Sequence, residues 1–261
     1  MVWRILRSGA KATPRFRPRL AAGSLTLLAM SCGTYLRPWQ HGGDETPSGD
    51  RPASRPSDTG WTPIQLSWTR TAQLFPVDRA VHGLRLSVFT ADNRKVFGLD
   101  LGLGIGGSLG GGGLALALVA NSSGGSFYGV QLAGLANYNS GGSRGANPAE
   151  YPTIGAQISI FGNKARFVGG WQIGGVNFCD RLYGHQLGMV SGACGFYGLQ
   201  SSLLVNMAGE AFGVQIAPYN SAQHLAGVQV GLLNEAGSGL QIGLLNFNQS
   251  GFLPVFPLFN F

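Results

Sequence analysis

The residue types that could do chemistry are few and scattered. Gly102, Gly104 and Gly107 satisfy the pattern G-x-G-x-x-G after an apolar stretch. A dinucleotide fingerprint also needs a helix that opens at the third glycine and an acidic residue about 20 residues further on. The glycine run that follows disfavours a helix, and no Asp or Glu occurs between Asp100 and Glu150. We therefore interpret these glycines as positions of close backbone approach.

Metal and nucleophile patterns are equally sparse. The histidines share no metal-ligand spacing, and the chain has no Cys-x-x-Cys. Cys179, Asp180 and His185 lie close in sequence and leave a Cys/His site open, although His185 occupies an ordinary strand position. Paired carboxylates for acid–base hydrolysis are lacking, because only Asp100 and Glu150 could face an interior. The sequence predicts no enzymatic activity, no cofactor and no metal.

The charges are concentrated at the start of the chain. The formal net charge is +7, but 6 of the 18 basic residues precede residue 20. Beyond residue 31 the chain has 12 basic and 11 acidic residues. This near balance gives little electrostatic attraction for the phosphates of a nucleic acid, so we expect no nucleic-acid partner. Only 11% of residues are charged and 43 are glycine, whereas soluble domains average about 25% charged residues.

The basic start, the apolar stretch at residues 20–30 and Ser31-Cys32-Gly33 have the order of a secretory signal. The cysteine resembles that of a bacterial lipobox, so we predict a signal peptide over residues 1–31 and lipidation, with palmitate among the acyl chains, at Cys32. Plain cleavage and a chance cysteine remain alternatives. Residues 32–60 are rich in Pro, Gly and Ser and predict a disordered tether.

Residues 61–261 form a glycine-rich repeat domain. Its clearest copies, GVQVGLLN and GLQIGLLN, begin at Gly227 and Gly239. Reading backwards, Gly-x-Gln recurs about every 14 residues, and we interpret the single gap of 26, between Gly129 and Gly155, as one degenerate copy. Each copy alternates apolar and small or polar residues with period two, which is typical of β-strands. The fold class is therefore all-β.

Two architectures fit such repeats. A nine-residue strand such as Phe212 to Asn220 is about 30 Å long, and the roughly five remaining residues of a repeat reach at most about 18 Å. This reach favours an antiparallel repeat meander of about 12 short strands, closed into a β-barrel. A β-solenoid is the alternative, and it requires each strand to break midway with both halves facing one narrow core.

In the barrel interpretation the apolar side of each strand meets lipid and the Gly/Gln side faces a lumen. The predicted lumen-lining residues share the Gln position of the repeat: Gln131, Gln172, Gln215, Gln229 and Gln241. A small outer-membrane pore is then an alternative function, and a binding module that presents the loop from Asn139 to Glu150 is another. A soluble fold that buries Leu, Ile and Val and leaves Gly and Gln to water also stays open.

Five stretches together resemble a bacterial family of surface-repeat lipoproteins with GLQIGLxN-type repeats: the two clear copies, LFPVDR, VHGLRLSVFTADNRKVFGLDLGLG and the ending NQSGFLPVFPLFNF. The resemblance covers roughly residues 62–261. It implies a non-enzymatic protein of the outer membrane or cell surface with a structural or surface-interaction role. The membrane, through a lipid anchor and an integral barrel, and an unknown protein or surface partner are the partners this implies.

Overall fold

The computed structural model describes residues 60–140 and 151–261. The predicted signal peptide, the lipidation site Cys32 and the tether up to residue 59 lie outside the described residues. The described chain contains strands and turns without a helix. The strands are β1 (Trp61–Ser67), β2 (Ala80–Ser87), β3 (Thr90–Asn93), β4 (Lys95–Gly102), β5 (Ile105–Ser108), β6 (Gly111–Ala117), β7 (Ala120–Ser123), β8 (Phe127–Ala133), β9 (Ala136–Asn139), β10 (Thr153–Ser159), β11 (Gly162–Ile216), β12 (Tyr219–Ala236), β13 (Leu240–Asn248) and β14 (Val255–Asn260).

The strands stack in parallel, one coil of chain on the next. The longer strands β2, β4, β6, β8 and β10 pair side by side and continue into β11, and the shorter β9, β7, β5 and β3 extend from β11 as a second stack. Each coil thus has a long arm and a short arm that face each other across a narrow core. The fold is a β-solenoid, so the all-β prediction is confirmed and the antiparallel meander closed into a barrel is wrong.

The physical reason lies at the corner between the arms. The stretch from Phe212 to Asn220 bends at Ala217 and Pro218, where β11 ends and β12 begins. The reach estimate treated this stretch as one straight strand. Because the chain turns back after the long arm, a short arm and a second turn are enough to return it to the start of the next coil.

Glycine occupies one position of the long arm in every coil from β2 to β13. These glycines have positive φ, and a Cβ on any of those from Gly98 to Gly227 would overlap the carbonyl oxygen of its neighbour one coil earlier. Only glycine adopts this backbone and allows this close approach. The row consists of eleven residues: Gly83, Gly98, Gly113, Gly129, Gly155, Gly170, Gly184, Gly198, Gly213, Gly227 and Gly239.

The 26-residue gap in the repeat does not hide a degenerate copy. Gly129 pairs directly with Gly155, so the two coils are neighbours and the additional residues are an insertion between β9 and β10. Part of this insertion, residues 141–150, lies outside the described residues. The predicted binding loop from Asn139 to Glu150 falls largely on that segment.

Both ends of the solenoid depart from the repeat. At the start, β1 pairs with β2 and is followed by a tight reversal in which Ser67 bridges Gln73. At the end, β14 runs antiparallel to β13 and occupies its free edge. β14 is itself the edge strand here, and it has only 6 residues and contains Pro257, so it offers a poor template for end-to-end addition of further molecules.

Candidate functional site

The Gln position of the repeat forms a continuous interior row, which we call the Gln row. In each step the side-chain Nε2 of one glutamine donates to Oε1 of the glutamine one coil earlier, at 2.7–3.0 Å. The Gln row consists of Gln131, Gln157, Gln172, Gln186, Gln200, Gln215, Gln229 and Gln241, all of them buried. The glutamines that were predicted to line a lumen therefore lie inside a packed core, where each amide satisfies the next.

The first coils fill the same row with charge. Arg85 and Asp100 occupy the Gln position of β2 and β4, and the Arg85 Nε and Nη2 groups donate to the two carboxylate oxygens of Asp100 at 2.7 and 2.5 Å. Arg85 Nη1 also donates to the backbone carbonyl of Gly107 at 2.6 Å. Ala115 then separates this pair from Gln131. The pair is bidentate and buried, which is the geometry that a charge pair needs away from water.

A second interior row, the Asn row, lies at the start of the short arms. Each Nδ2 donates to Oδ1 of the next asparagine at 2.8–3.0 Å, in the segments Asn121–Asn137–Asn163–Asn177 and Asn206–Asn220–Asn234–Asn246. Ser191 stands between the two segments, and Asn206 Oδ1 has no hydrogen-bond partner there. The row is thus continuous except at one serine.

The Asn row also bonds the backbone at the corner between the arms. Asn163 Nδ2 donates to the carbonyl of Ile173 at 2.8 Å, Asn177 Nδ2 to that of Leu187 at 2.9 Å and Asn220 Nδ2 to that of Val230 at 2.9 Å. These carbonyls belong to the last outward-facing residue of the following long arm. An asparagine side chain commonly starts a turn by bonding its own neighbouring backbone. The structure adds bonds between coils, which a periodic Asn in the sequence could have indicated.

The possible Cys/His site is not assembled. Cys179 is buried and free, and it accepts a hydrogen bond from Gln186 Nε2 at 3.3 Å inside the core. His185 lies on the outer side of its long arm with its ring 4.4 Å from that of Trp171. Burial, reinforced by the charge of Asp180, raises the pKa of the Cys179 thiol far above its usual range. Cys179 is therefore a protonated core residue with no nucleophilic character.

The other candidate chemistry finds no support in the geometry. Gly102 ends β4, Gly104 lies in the turn and Gly107 belongs to β5, so the G-x-G-x-x-G pattern crosses a corner between two strands. Among residues 60–140 and 151–261, no three His, Cys, Asp or Glu side chains lie together as metal ligands.

The outer side of the long arms is a broad apolar sheet, which we call the apolar face. Its first row carries aromatic side chains, and the rings of Tyr183, Tyr197 and Phe212 stack at 4.7 and 4.6 Å. Eleven coils at about 4.8 Å each make the face about 50 Å long, and the five residues from the aromatic row to the corner span about 16 Å. The resulting area of about 800 Å² exceeds the 300–600 Å² of the largest patch on a typical monomer.

The corner that follows the long arms continues this surface around the side of the solenoid. We call it the apolar edge: Leu103, Leu118, Ile160, Met189, Leu203, Leu232 and Leu244. Ile160 and Leu203 are each 72% exposed and Leu118 is 67% exposed, so these side chains project freely. Charged side chains begin beyond this corner, on the short arms, at Asp92, Lys164 and Glu235. Asp92 is paired with Arg70 of the initial reversal.

The apolar surface includes a groove of about 1290 Å³ near the start of the solenoid. Its floor is a row of aliphatic side chains from successive long arms and corners, and Trp68 and Leu74 of the initial reversal form one wall. The floor includes Leu86, Leu101, Leu116, Leu132 and Ile158. The chemistry of the lining suits an apolar occupant.

The opposite corner, between each short arm and the next long arm, is polar. We call it the charged edge: Arg94, Lys95, Arg166, Asp180, Arg181, Glu210 and His224. Arg166 Nε lies 3.6 Å from the Asp180 carboxylate. Partial burial raises the pKa of Asp180 above its usual value, and the attraction of Arg166 only partly opposes this effect. Polarity therefore changes across the solenoid, from the apolar edge to the charged edge.

The sequence alone does not separate the two corners of a coil. The signal was present, because the residues after the second repeat glycine are Leu, Ile or Met in most copies, whereas Arg, Asp, Glu and His follow the short arms. The assumption of straight strands concealed it, since in a meander both kinds of turn alternate between two rims.

The comparisons with known proteins assign no relative. No protein-family model, curated protein or solved structure matches the chain. Within the described residues, no helix is long and apolar enough to cross a membrane.

Proposed function

We propose that this chain is a non-enzymatic repeat lipoprotein of the bacterial outer membrane or cell surface, with a structural or surface-interaction role. The observation that carries the proposal is the difference in side-chain chemistry between the interior and the outer surface of the solenoid. The interior holds two rows of bonded Gln and Asn side chains beside a buried apolar cluster that includes Leu182 and Phe196, and a large apolar surface is left on the outside. A site for chemistry needs convergent polar groups in a cleft, whereas a contact protein needs a rigid and distinctive surface.

The predicted signal peptide supports a location at the membrane or cell surface. The basic start, the apolar stretch and Cys32 fit a lipoprotein signal, and the lipid would hold the domain through the tether of residues 32–60. The small pore is no longer an alternative, because its Gln lining belongs to the packed core.

The proposal is tested by expression of the full chain in a diderm bacterium. We expect the mature protein to begin at Cys32, to carry the mass of a diacylglycerol and an N-acyl chain, and to fractionate with membranes. The Cys32→Ser variant should lack that lipid mass. Protease added to intact cells should degrade the repeat domain if it faces outwards. A mature protein that keeps Met1, or lacks any lipid, would contradict the lipoprotein assignment.

A further inference from the structure

We infer that the solenoid lies on a lipid bilayer with its apolar edge inserted among the acyl chains of one leaflet. The inference deepens the proposed function and rests on it for the location at a membrane. It assigns the contact to the solenoid itself, in addition to any lipid attached at Cys32. The occupant of the apolar surface is thus a lipid surface.

The first argument is the order of side chains around each coil. Leucine and isoleucine project from the apolar edge, and aromatic rings follow at the far side of the apolar face. Outward-facing charges of the coils lie on the short arms and on the charged edge, not on the apolar face or the apolar edge. Aromatic side chains with a polar tip, such as Tyr183 and Tyr197, are favoured at the level of the lipid headgroups. The distance of about 16 Å from the corner to the aromatic row matches the hydrocarbon of one leaflet, about 15 Å.

The second argument is the backbone of the apolar edge. Lipid offers no hydrogen bonds, so every backbone group that enters it must be satisfied within the protein. At this edge the N–H of Leu118 donates to the carbonyl of Gly102 at 2.9 Å, and that of Leu232 donates to the carbonyl of Pro218 at 3.0 Å. The Asn row saturates the carbonyls just before the corner. The turns of this edge are therefore bonded from coil to coil, as lipid contact requires.

The third argument separates a bilayer from a second copy of the chain. Two apolar faces could pack sheet on sheet across a twofold axis about 10 Å apart. Such a dimer would cover the apolar face but leave the most exposed corner side chains, Ile160 and Leu203, in water. A bilayer covers both the face and the edge. The groove beneath Trp68 and Leu74 then receives an acyl chain of the same leaflet.

The test uses the processed chain, residues 32–261, with Cys32→Ser so that no lipid is attached. Flotation with neutral phosphatidylcholine vesicles removes any contribution from charge attraction. We expect this protein to float with the vesicles, and the variant Leu118→Glu/Leu203→Glu/Leu232→Glu to lose at least tenfold in partition coefficient. The matched control Lys95→Gln/Gln223→Glu/His224→Glu changes the net charge equally on the charged edge and should stay within twofold of the parent.

Circular dichroism and thermal melting check that each variant folds. If the glutamates prevent folding, Leu118→Gln/Leu203→Gln/Leu232→Gln replaces them and should still lose several-fold in partition. A parent that stays at the bottom of the gradient, or an edge variant that floats like the parent, would overturn the inference. So would a parent dimer in analytical ultracentrifugation that the edge variant dissociates while neither protein floats.

The two proposals fail independently. If the unlipidated chain floats with vesicles and the native N-terminus carries no lipid, the lipoprotein assignment is wrong and the proposed insertion of the apolar edge stands. If the native protein is lipidated but its unlipidated form does not bind vesicles, the lipoprotein assignment stands and the proposed insertion of the apolar edge is wrong.

Discussion

The first coils and the later coils solve the same packing problem in different ways. Both have the row of positive-φ glycines, but the polar position beside it holds Arg85 and Asp100 in the first coils and an unbroken Gln row from Gln131 onwards. The pair is satisfied within two coils, whereas each glutamine depends on the coil before and the coil after it. A narrow core thus accepts buried polar groups as long as every donor has a partner, and repetition is one way to supply partners.

The largest effect is expected for the feature that both regions share. Gly213→Ala places a methyl group against the carbonyl of Gly198 and strains a backbone of φ 142°, so we expect the variant to lose more than about 4 kcal/mol or to fail to fold. Gly195→Ala is the matched control, since the nearest atom to its Cβ would be the Glu210 carbonyl oxygen at 4.0 Å, and it should cost less than about 0.5 kcal/mol. Urea unfolding measures both, and equal costs would contradict the stacked coils.

Arg85→Met removes the buried Arg85–Asp100 pair of the first coils. It leaves the Asp100 carboxylate buried without its partner, which costs about 3–5 kcal/mol of unfolding free energy. The double variant Arg85→Gln/Asp100→Gln extends the chemistry of the later coils into the first ones and should recover to within about 1.5 kcal/mol of the parent. A double variant as unstable as Arg85→Met would mean that the two regions are not interchangeable.

Gln200→Leu interrupts the Gln row of the later coils at its middle. It removes the bonds to Gln186 and Gln215 and leaves one unsatisfied amide group on each, which costs about 2–4 kcal/mol. Gln241→Leu is the comparison within the row, because Gln241 ends it and has only Gln229 as a row neighbour. Its cost in denaturant unfolding should be clearly smaller. A larger cost at the end than in the middle would argue against a cooperative row.

The smallest effect concerns a pair outside both rows. The pKa of Asp180 is raised in the folded chain, so the folded state binds its proton more tightly and stability from this carboxyl falls as the pH rises through that pKa. Asp180→Asn fixes a neutral side chain and should melt at the same temperature as the parent or slightly higher at pH 7. The difference should shrink as the pH falls towards 3.8, the ordinary value. Glu210→Gln controls for loss of an exposed charge on the same edge.

Much of the repeat could be predicted from the sequence. Alternation with period two placed Phe212, Val214 and Ile216 on one side and Gly213 and Gln215 on the other, and the structure has the same two sides. Local strand geometry determines this alternation, so a single sequence reveals it.

The parallel stacking could not be predicted, because it depends on whether the chain bends at Ala217-Pro218, a corner of two residues. A strand of nine residues and two arms joined by a corner give the same alternation. The position of Gln215 is ambiguous for the same reason. A water-filled barrel lumen and a hydrogen-bonded interior row both require Gln on the side of the strand opposite to Leu. The apolar edge followed only once the corner was known.

Hydrogen–deuterium exchange of the unlipidated chain, with and without phosphatidylcholine vesicles, tests the contact with lipid most directly. Vesicles should slow exchange at the turns of the apolar edge, such as those that contain Leu203 and Leu232, by shielding them from water. Exchange at the charged edge around Gln223 and His224 should not change. Protection of the charged edge, or no protection at either edge, would contradict the account.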